Sequence, residues 1–227
     1  MTFAAVTFDY FGTLVDADRG GTLGMAAVLE RLGSLRDPAT EYLRWDQRAV
    51  RIYRGGKYRP YRAVARLALA DTLQEVATES GAQASLDELT DVLLAGLVEA
   101  SPPHPEVVRV LELLGQKYPL MPITNMDTEL FRRSQLAACF PRVITAQMAE
   151  AYKPSERIFL AALAALGVDA EQVLHASLSP FADIDGAKPL GFAVAWINRG
   201  AERLGTWSPT PDYELPDLGG LPRILGL

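Results

Sequence analysis

The stretch PEVVRVLELLGQKYPLMPITN, Pro105 to Asn125, holds one unit of a repeating pattern. From Pro105 to Lys117 apolar residues recur at three- and four-residue spacing behind an initial proline, which predicts a helix. Leu120–Thr124 is a short, apolar, β-rich run that predicts a strand. The pattern continues downstream. Asp127–Ala138 reads as a helix, Val143–Thr145 as a weak strand, and Pro154–Leu166 as a helix stopped by Gly167. Val173–Ala176 then reads as a strand, Asp183–Leu190 as a short helix, and Phe192–Ile197 as a strand. Strands alternating with helices predict a parallel sheet with crossover connections.

Upstream lies one more strand, Ala4–Phe8, separated from this series by patterns that are helical only: Gly24–Leu32, Ala39–Arg54, Arg62–Glu79 and Leu86–Glu99. The simplest organisation is an α/β fold. A Rossmann-like, doubly wound parallel sheet comes from residues 1–16 and 101–227, and a helical domain, residues 17–100, is inserted after strand one. The prolines of Ser101–Pro105 (SPPHP) forbid a continuous helix there and mark the return linker.

The 227 residues are 49% hydrophobic and 22% charged, enough for a sizeable core. A net charge of −6 and an isoelectric point near 5.0 argue against a nucleic-acid partner. Cys139 is the single cysteine, which excludes an intramolecular disulfide and fits a reducing compartment. The N-terminus lacks a basic leader, and the longest apolar run, Phe159–Val168, is short of the roughly 20 residues a membrane span needs. The expected setting is cytoplasmic, without membrane partners; a homodimer is compatible with this composition.

In open parallel sheets ligands bind beyond the carboxyl ends of the strands. Strand one runs into Asp9 within TFDYFGTLVD (Thr7–Asp16), where no second acid follows until Asp16. The next strand ends in Thr124 and Asn125, and the strand near residue 175 leads to Ser177, Ser179 and Asp183. Lys153 stands at the entrance of the 154–166 helix. A carboxylate, hydroxyls, an amide and an ammonium are thus delivered to one face. Bland readings accompany each. Asp9 suits a strand-end turn, Asp183 a helix N-cap, His104 a turn, and His175 the interior of a strand.

The order and context of these residues resemble the haloacid dehalogenase superfamily over nearly the whole chain. FDYFGTLVD, ITNMD, YKPSERIF and SLSPFADIDGAKPLGF look like its four motifs, and the tail AWINRGAERLG…TPDYEL is similar to the ending of its 2-haloacid dehalogenase branch. The resemblance implies a hydrolase with Asp9 as nucleophile, Thr124, Lys153 and Asp183 around it, and the helical insert as a cap. Two positions depart from the magnesium-dependent phosphatases of that superfamily. Phe11 stands where they carry a general acid, and Leu178 where they carry an acidic metal ligand. Magnesium wants several oxygen ligands, so no metal and no other cofactor is expected. Pro180, Phe159 and Asp46 depart from the dehalogenase branch itself, replacing an asparagine, a tyrosine and an arginine that follows a tryptophan.

A carboxylate nucleophile forms an ester that water then cleaves. Halide is a weak base and leaves without a proton, so an Asp9 without a neighbouring acid suits displacement at carbon. Lys153 would hold Asp9 ionised, and Asp183 would orient Lys153 or activate water. Tyr10 and Phe11 would line the pocket, and Thr124, Asn125 and Ser179 would contact a small anionic substrate. Eight basic residues against one acid lie between Arg44 and Arg66, and Arg48, near Trp45, is the candidate clamp on the substrate's carboxylate. The alternatives are a magnesium-dependent phosphatase of the same superfamily and a non-catalytic binding protein on the same fold.

Overall fold

The computed structural model describes residues 2–80 and 85–227. The chain divides into two compact units. The first comprises the residues up to Val15, Pro103–Asn125 and Leu136–Leu227; the second comprises Asp16–Pro102 and Met126–Gln135.

The first unit is built on a six-stranded sheet: β1 (Ala5–Phe8), β2 (Leu120–Thr124), β3 (Ile144–Thr145), β4 (Val173–Ser177), β5 (Ala193–Ile197) and β6 (Tyr213–Leu215). The spatial order is β3-β2-β1-β4-β5-β6 and every neighbouring pair is parallel. All residues of β1 to β5 are buried, and a parallel sheet covered on both faces requires continuous apolar runs of this kind. The order reverses between β1 and β4, the kind of switch point beyond whose strand ends ligands bind in open parallel sheets.

The second unit holds α1 (Ala17–Arg31), α2 (Pro38–Arg54), α3 (Tyr61–Ser80), α4 (Leu86–Glu99) and, following α5 (Val107–Gly115) of the first unit, the short α6 (Thr128–Arg132). Asp127 ties α6 to α3: its two carboxylate oxygens accept from the Tyr61 and Arg62 amides at 2.8 and 2.9 Å. Two otherwise orphaned N–H groups at the start of α3 are thereby satisfied. Helices α1 and α4 cross where neither carries a side chain. A Cβ on Gly96 would lie 2.3 Å from the Gly24 Cα, and one on Gly24 would lie 2.5 Å from the Leu93 carbonyl oxygen.

Three expected elements differ. Helix α1 starts at Ala17, capped by the Asp16 carboxylate on the Arg19 amide, and not at Gly24. Gly20 and Gly21 are close-approach positions against Ser101 and the Tyr42 ring rather than helix breakers. The 127–138 helix stops at Arg132, because the Ser134 hydroxyl takes the Phe131 carbonyl at 2.7 Å and the next turn opens. Residues 180–190 form three short helical turns, Pro180–Ile184, Asp185–Ala187 and Lys188–Leu190, instead of one helix. Strand β6 is an addition to the expected set. Among the described residues no helix is long and apolar enough to cross a membrane.

Candidate active site

Asp9 is the first residue past β1, and its amide still bonds the Ala176 carbonyl of β4 at 3.0 Å. The chain then turns sharply. Gly12 adopts φ +76°, and a Cβ there would meet a Leu178 methyl at 2.6 Å. The turn lets the Thr13 hydroxyl donate to Asp9 Oδ2 at 2.7 Å, while the Thr13 hydroxyl oxygen accepts the Leu178 amide at 2.8 Å. Thr13 therefore links the loop after β1 to the loop after β4. His104 Nε2 lies 3.0 Å from the Gly12 carbonyl, and the Trp196 indole donates to the Leu178 carbonyl at 3.0 Å.

Lys153 precedes α8 (Glu156–Leu166), the helix that follows the one-turn α7 (Ala146–Ala149). Its ammonium is 2% exposed and bridges Asp9 Oδ1 at 2.6 Å and Asp183 Oδ1 at 2.8 Å. The backbone of Lys153 is held by Asn125, whose carbonyl oxygen accepts the Lys153 amide at 2.7 Å while its NH2 faces the Lys153 carbonyl at 3.5 Å. Asp183 also bonds His175 Nε2 at 2.8 Å, and His175 Nδ1 lies 2.9 Å from the Thr7 hydroxyl across the β1–β4 pair.

Two carboxylates share one ammonium in a buried setting. Burial works against the charge of Lys153, but Asp183 and Asp9 outweigh it and hold its pKa above the ordinary lysine value. Burial likewise opposes the charge of Asp183, yet Lys153 and the His175 hydrogen bond keep its carboxyl below the usual range. Burial pushes Asp9 up, against the pull of Lys153. Asp183 is thus the firmer anion of the two.

Thr124 is fully buried at the end of β2, and its hydroxyl has no hydrogen-bond partner among the described residues; neither has Asp183 Oδ2. An unsatisfied buried oxygen is costly, and here one stands at the end of β2 and the other in the helical turn that follows β4. Tyr10 is buried with its hydroxyl accepting the Leu136 amide at 3.4 Å, and its ring meets Phe11 edge-on at 5.6 Å. The Ser179 hydroxyl caps the following turn by accepting the Ala182 amide at 3.1 Å. Arg48 lies in the helical unit and donates to the Thr72 hydroxyl at 3.2 Å. Its neighbours Arg44, Arg62 and Arg66 pair with Glu41, Asp91 and Asp87 of that unit.

The structure thus brings Asp9, Lys153 and Asp183 into direct contact, with Asn125 behind Lys153. Sequence reasoning left out Thr13 and set His175 aside as an interior residue. A hydroxyl four residues after a strand-end aspartate is the one local signal for Thr13. For His175 none exists, since its partners are distant in sequence. Magnesium does not fit these donors. Asp9 Oδ1 and Asp183 Oδ1 are bridged by an ammonium, Asp9 Oδ2 takes a hydroxyl, and Leu178 offers only an isobutyl group.

The chain is similar to several known proteins. Haloacetate dehalogenase H-2 of Moraxella sp. is 30% identical over 55% of this chain, which spans 58% of that relative's length. The (S)-2-haloacid dehalogenase of Xanthobacter autotrophicus is 28% identical over 97% of this chain and 94% of its own. A phosphoglycolate phosphatase of Caulobacter vibrioides is 32% identical over 75% of this chain and 69% of its own. The structure of L-2-haloacid dehalogenase from Xanthobacter autotrophicus with chloropropionic acid covalently bound superposes with a TM-score of 0.84, at 23% identity and 99% coverage of both chains. The model of the haloacid dehalogenase-like hydrolases matches residues 3–191, which take in Asp9, Lys153 and Asp183 together with the sheet from β1 to β4 that positions them, and the chain belongs to that family.

Proposed function

We propose that the chain hydrolyses small 2-haloacids without a metal, through an ester on Asp9. One Asp9 oxygen attacks the carbon that bears the halogen, the carbon–halogen bond breaks, and halide departs with the electron pair. Lys153 keeps the attacking carboxylate ionised. Water then attacks the Asp9 ester carbonyl carbon, giving up one proton to Asp183 Oδ2. As the intermediate collapses the ester C–O bond breaks, and Asp183 returns that proton to the departing oxygen to release a 2-hydroxy acid. The regenerated Asp9 carboxyl loses the second water proton to solvent. In that step Lys153, at Asp9 Oδ1, offsets the negative charge that develops on the former carbonyl. Thr124, with its open hydroxyl, contacts the substrate carboxylate. The helical unit serves as the cap and supplies the basic side chain, Arg48, that pairs with the same carboxylate.

The observation that carries the reading is a buried strand-end carboxylate held by an ammonium and a hydroxyl, with Phe11 and Leu178 where phosphate chemistry would want acids. The dehalogenase relatives, and the relative captured with chloropropionic acid covalently bound, support it. The acidic charge and lone Cys139 extend the proposal to a cytoplasmic setting free of nucleic acid. A single turnover of 2-chloropropionate in 18O-labelled water is expected to release halide and leave label in Asp9. Phosphatase activity is the second reading, favoured by the phosphoglycolate phosphatase relative. Magnesium-dependent turnover of p-nitrophenyl phosphate, without halide release from any 2-haloacid, would put it in first place.

A further inference from the structure

His175 is a buried titratable group to which the proposed chemistry gives no task. It is fully buried in the middle of β4, flanked edge-on by Phe159 at 5.7 Å and Phe192 at 6.4 Å. Both ring nitrogens are engaged, Nδ1 with the Thr7 hydroxyl and Nε2 with Asp183 Oδ1. An ionised carboxylate only accepts hydrogen bonds, so the proton of that contact sits on Nε2. Asp183 Oδ1 is consequently shared by two donors, His175 Nε2–H and the Lys153 ammonium, while Oδ2 has none among the described residues.

This asymmetry has a mechanical meaning. One donor would leave a carboxylate free to swing about its contact. Two donors converging on the same oxygen from different elements, β4 and the loop before α8, fix the carboxylate plane and leave the second oxygen as the open acceptor. We propose that His175 is a positioning residue, whose Nε2–H turns Asp183 so that Oδ1 faces Lys153 and Oδ2 stays open to the water that cleaves the ester. It acts through Asp183 and touches neither substrate nor Asp9. The inference rests on the ester mechanism proposed above and assigns its second step to the geometry that His175 imposes.

The test compares the wild type with His175→Leu and His175→Gln, since the Gln side-chain amide can donate from near the place of Nε2 and Leu cannot. With 2-chloropropionate, H175L is expected to keep the first, stoichiometric burst of halide. Its steady-state turnover should fall on the order of tenfold or more with KM little changed, and the Asp9 adduct should accumulate in intact-protein mass spectra. H175Q should recover most of the turnover. Equal turnover in the two variants, or loss of the burst itself, overturns the proposal. A wild type that releases no halide sinks the ester mechanism instead. A second readout does not depend on activity: the 15N signals of the His175 ring should show a protonated Nε2 that shifts in Asp183→Asn. An unprotonated Nε2, or a signal indifferent to D183N, overturns the assignment even where H175L fails to fold.

Discussion

Replacing Lys153 by methionine keeps the length of the side chain and removes its charge, leaving Asp9 and Asp183 buried without their shared ammonium. Contacts of 2.6 and 2.8 Å are worth about 6 kcal/mol each at an effective dielectric of about 20, and desolvation of the ammonium offsets much of this. Removing one partner of a buried ion pair costs a net ~3–5 kcal/mol, and that is the destabilisation expected at pH 8. The pH dependence gives the sharper test. Without the cation, burial and mutual repulsion raise the folded-state pKa of the two carboxylates above the unfolded value. A raised carboxyl contributes stability that is present below its unfolded pKa and lost as pH rises through the folded one. In the wild type Asp183 is held low, so its contribution runs the other way. The K153M deficit should therefore be largest at pH 8 and shrink by at least half toward pH 5. Urea unfolding of both proteins at the two pH values measures it. A deficit below about 1 kcal/mol at pH 8, or equal deficits at both, would refute the reasoning.

The remaining predictions concern separate parts of the molecule. Asp46 is pushed up to about 6 by burial and by Asp18, so it should weaken the fold above that pH. Asp46→Asn should then stabilise by at most about 3 kcal/mol at pH 8 and by less than about 1 kcal/mol near pH 4 in chemical denaturation. Gly96→Ala places a methyl against the Gly24 backbone and should cost about 3 kcal/mol, whereas Gly33→Ala, with open space and φ +63°, should cost about 1 kcal/mol. Thr13→Val removes the donor to Asp9 Oδ2 and leaves the Leu178 amide unpaired; a loss of about 1–3 kcal/mol is expected, which Thr13→Ser should largely restore. Halide-release assays on the two Thr13 variants should follow the same order.

What could be read from the sequence follows the physics of a parallel sheet. Runs such as AVTF and AVAWI are buried on both faces, so their apolar character is continuous and stands out. Strand β6 escapes that logic, being three residues long with an exposed Glu214 between Pro211 and Pro216. The contact of Asp9, Lys153 and Asp183 was accessible because each follows a strand or precedes a helix on one side of the sheet. The rest of the cluster depends on pairs that no local pattern encodes. Thr7 meets His175 at a separation of 168 residues, and Thr13 meets the Leu178 amide at 165. Asn125 sits where expected, but its amide is spent on the Lys153 main chain rather than left open. The broken helix after Asp127 shows the opposite failure, in which a correct period is cut short by one serine hydroxyl.

The place of β1 in the sheet sets a timetable for synthesis. Its neighbours β2 and β4 begin at Leu120 and Val173, so the central strand leaves the ribosome more than a hundred residues before either edge it must join. Such long-range pairing is slow and leaves an apolar segment exposed. The helical segment made next contains its own close-packed crossing of α1 and α4, and can order while β1 waits. Asp9 and Lys153 are 144 residues apart, so the ion pair that unites them cannot form until translation has passed the start of α8. A stalled or truncated chain that stops before that point carries Asp9 but lacks the ammonium that pairs with it.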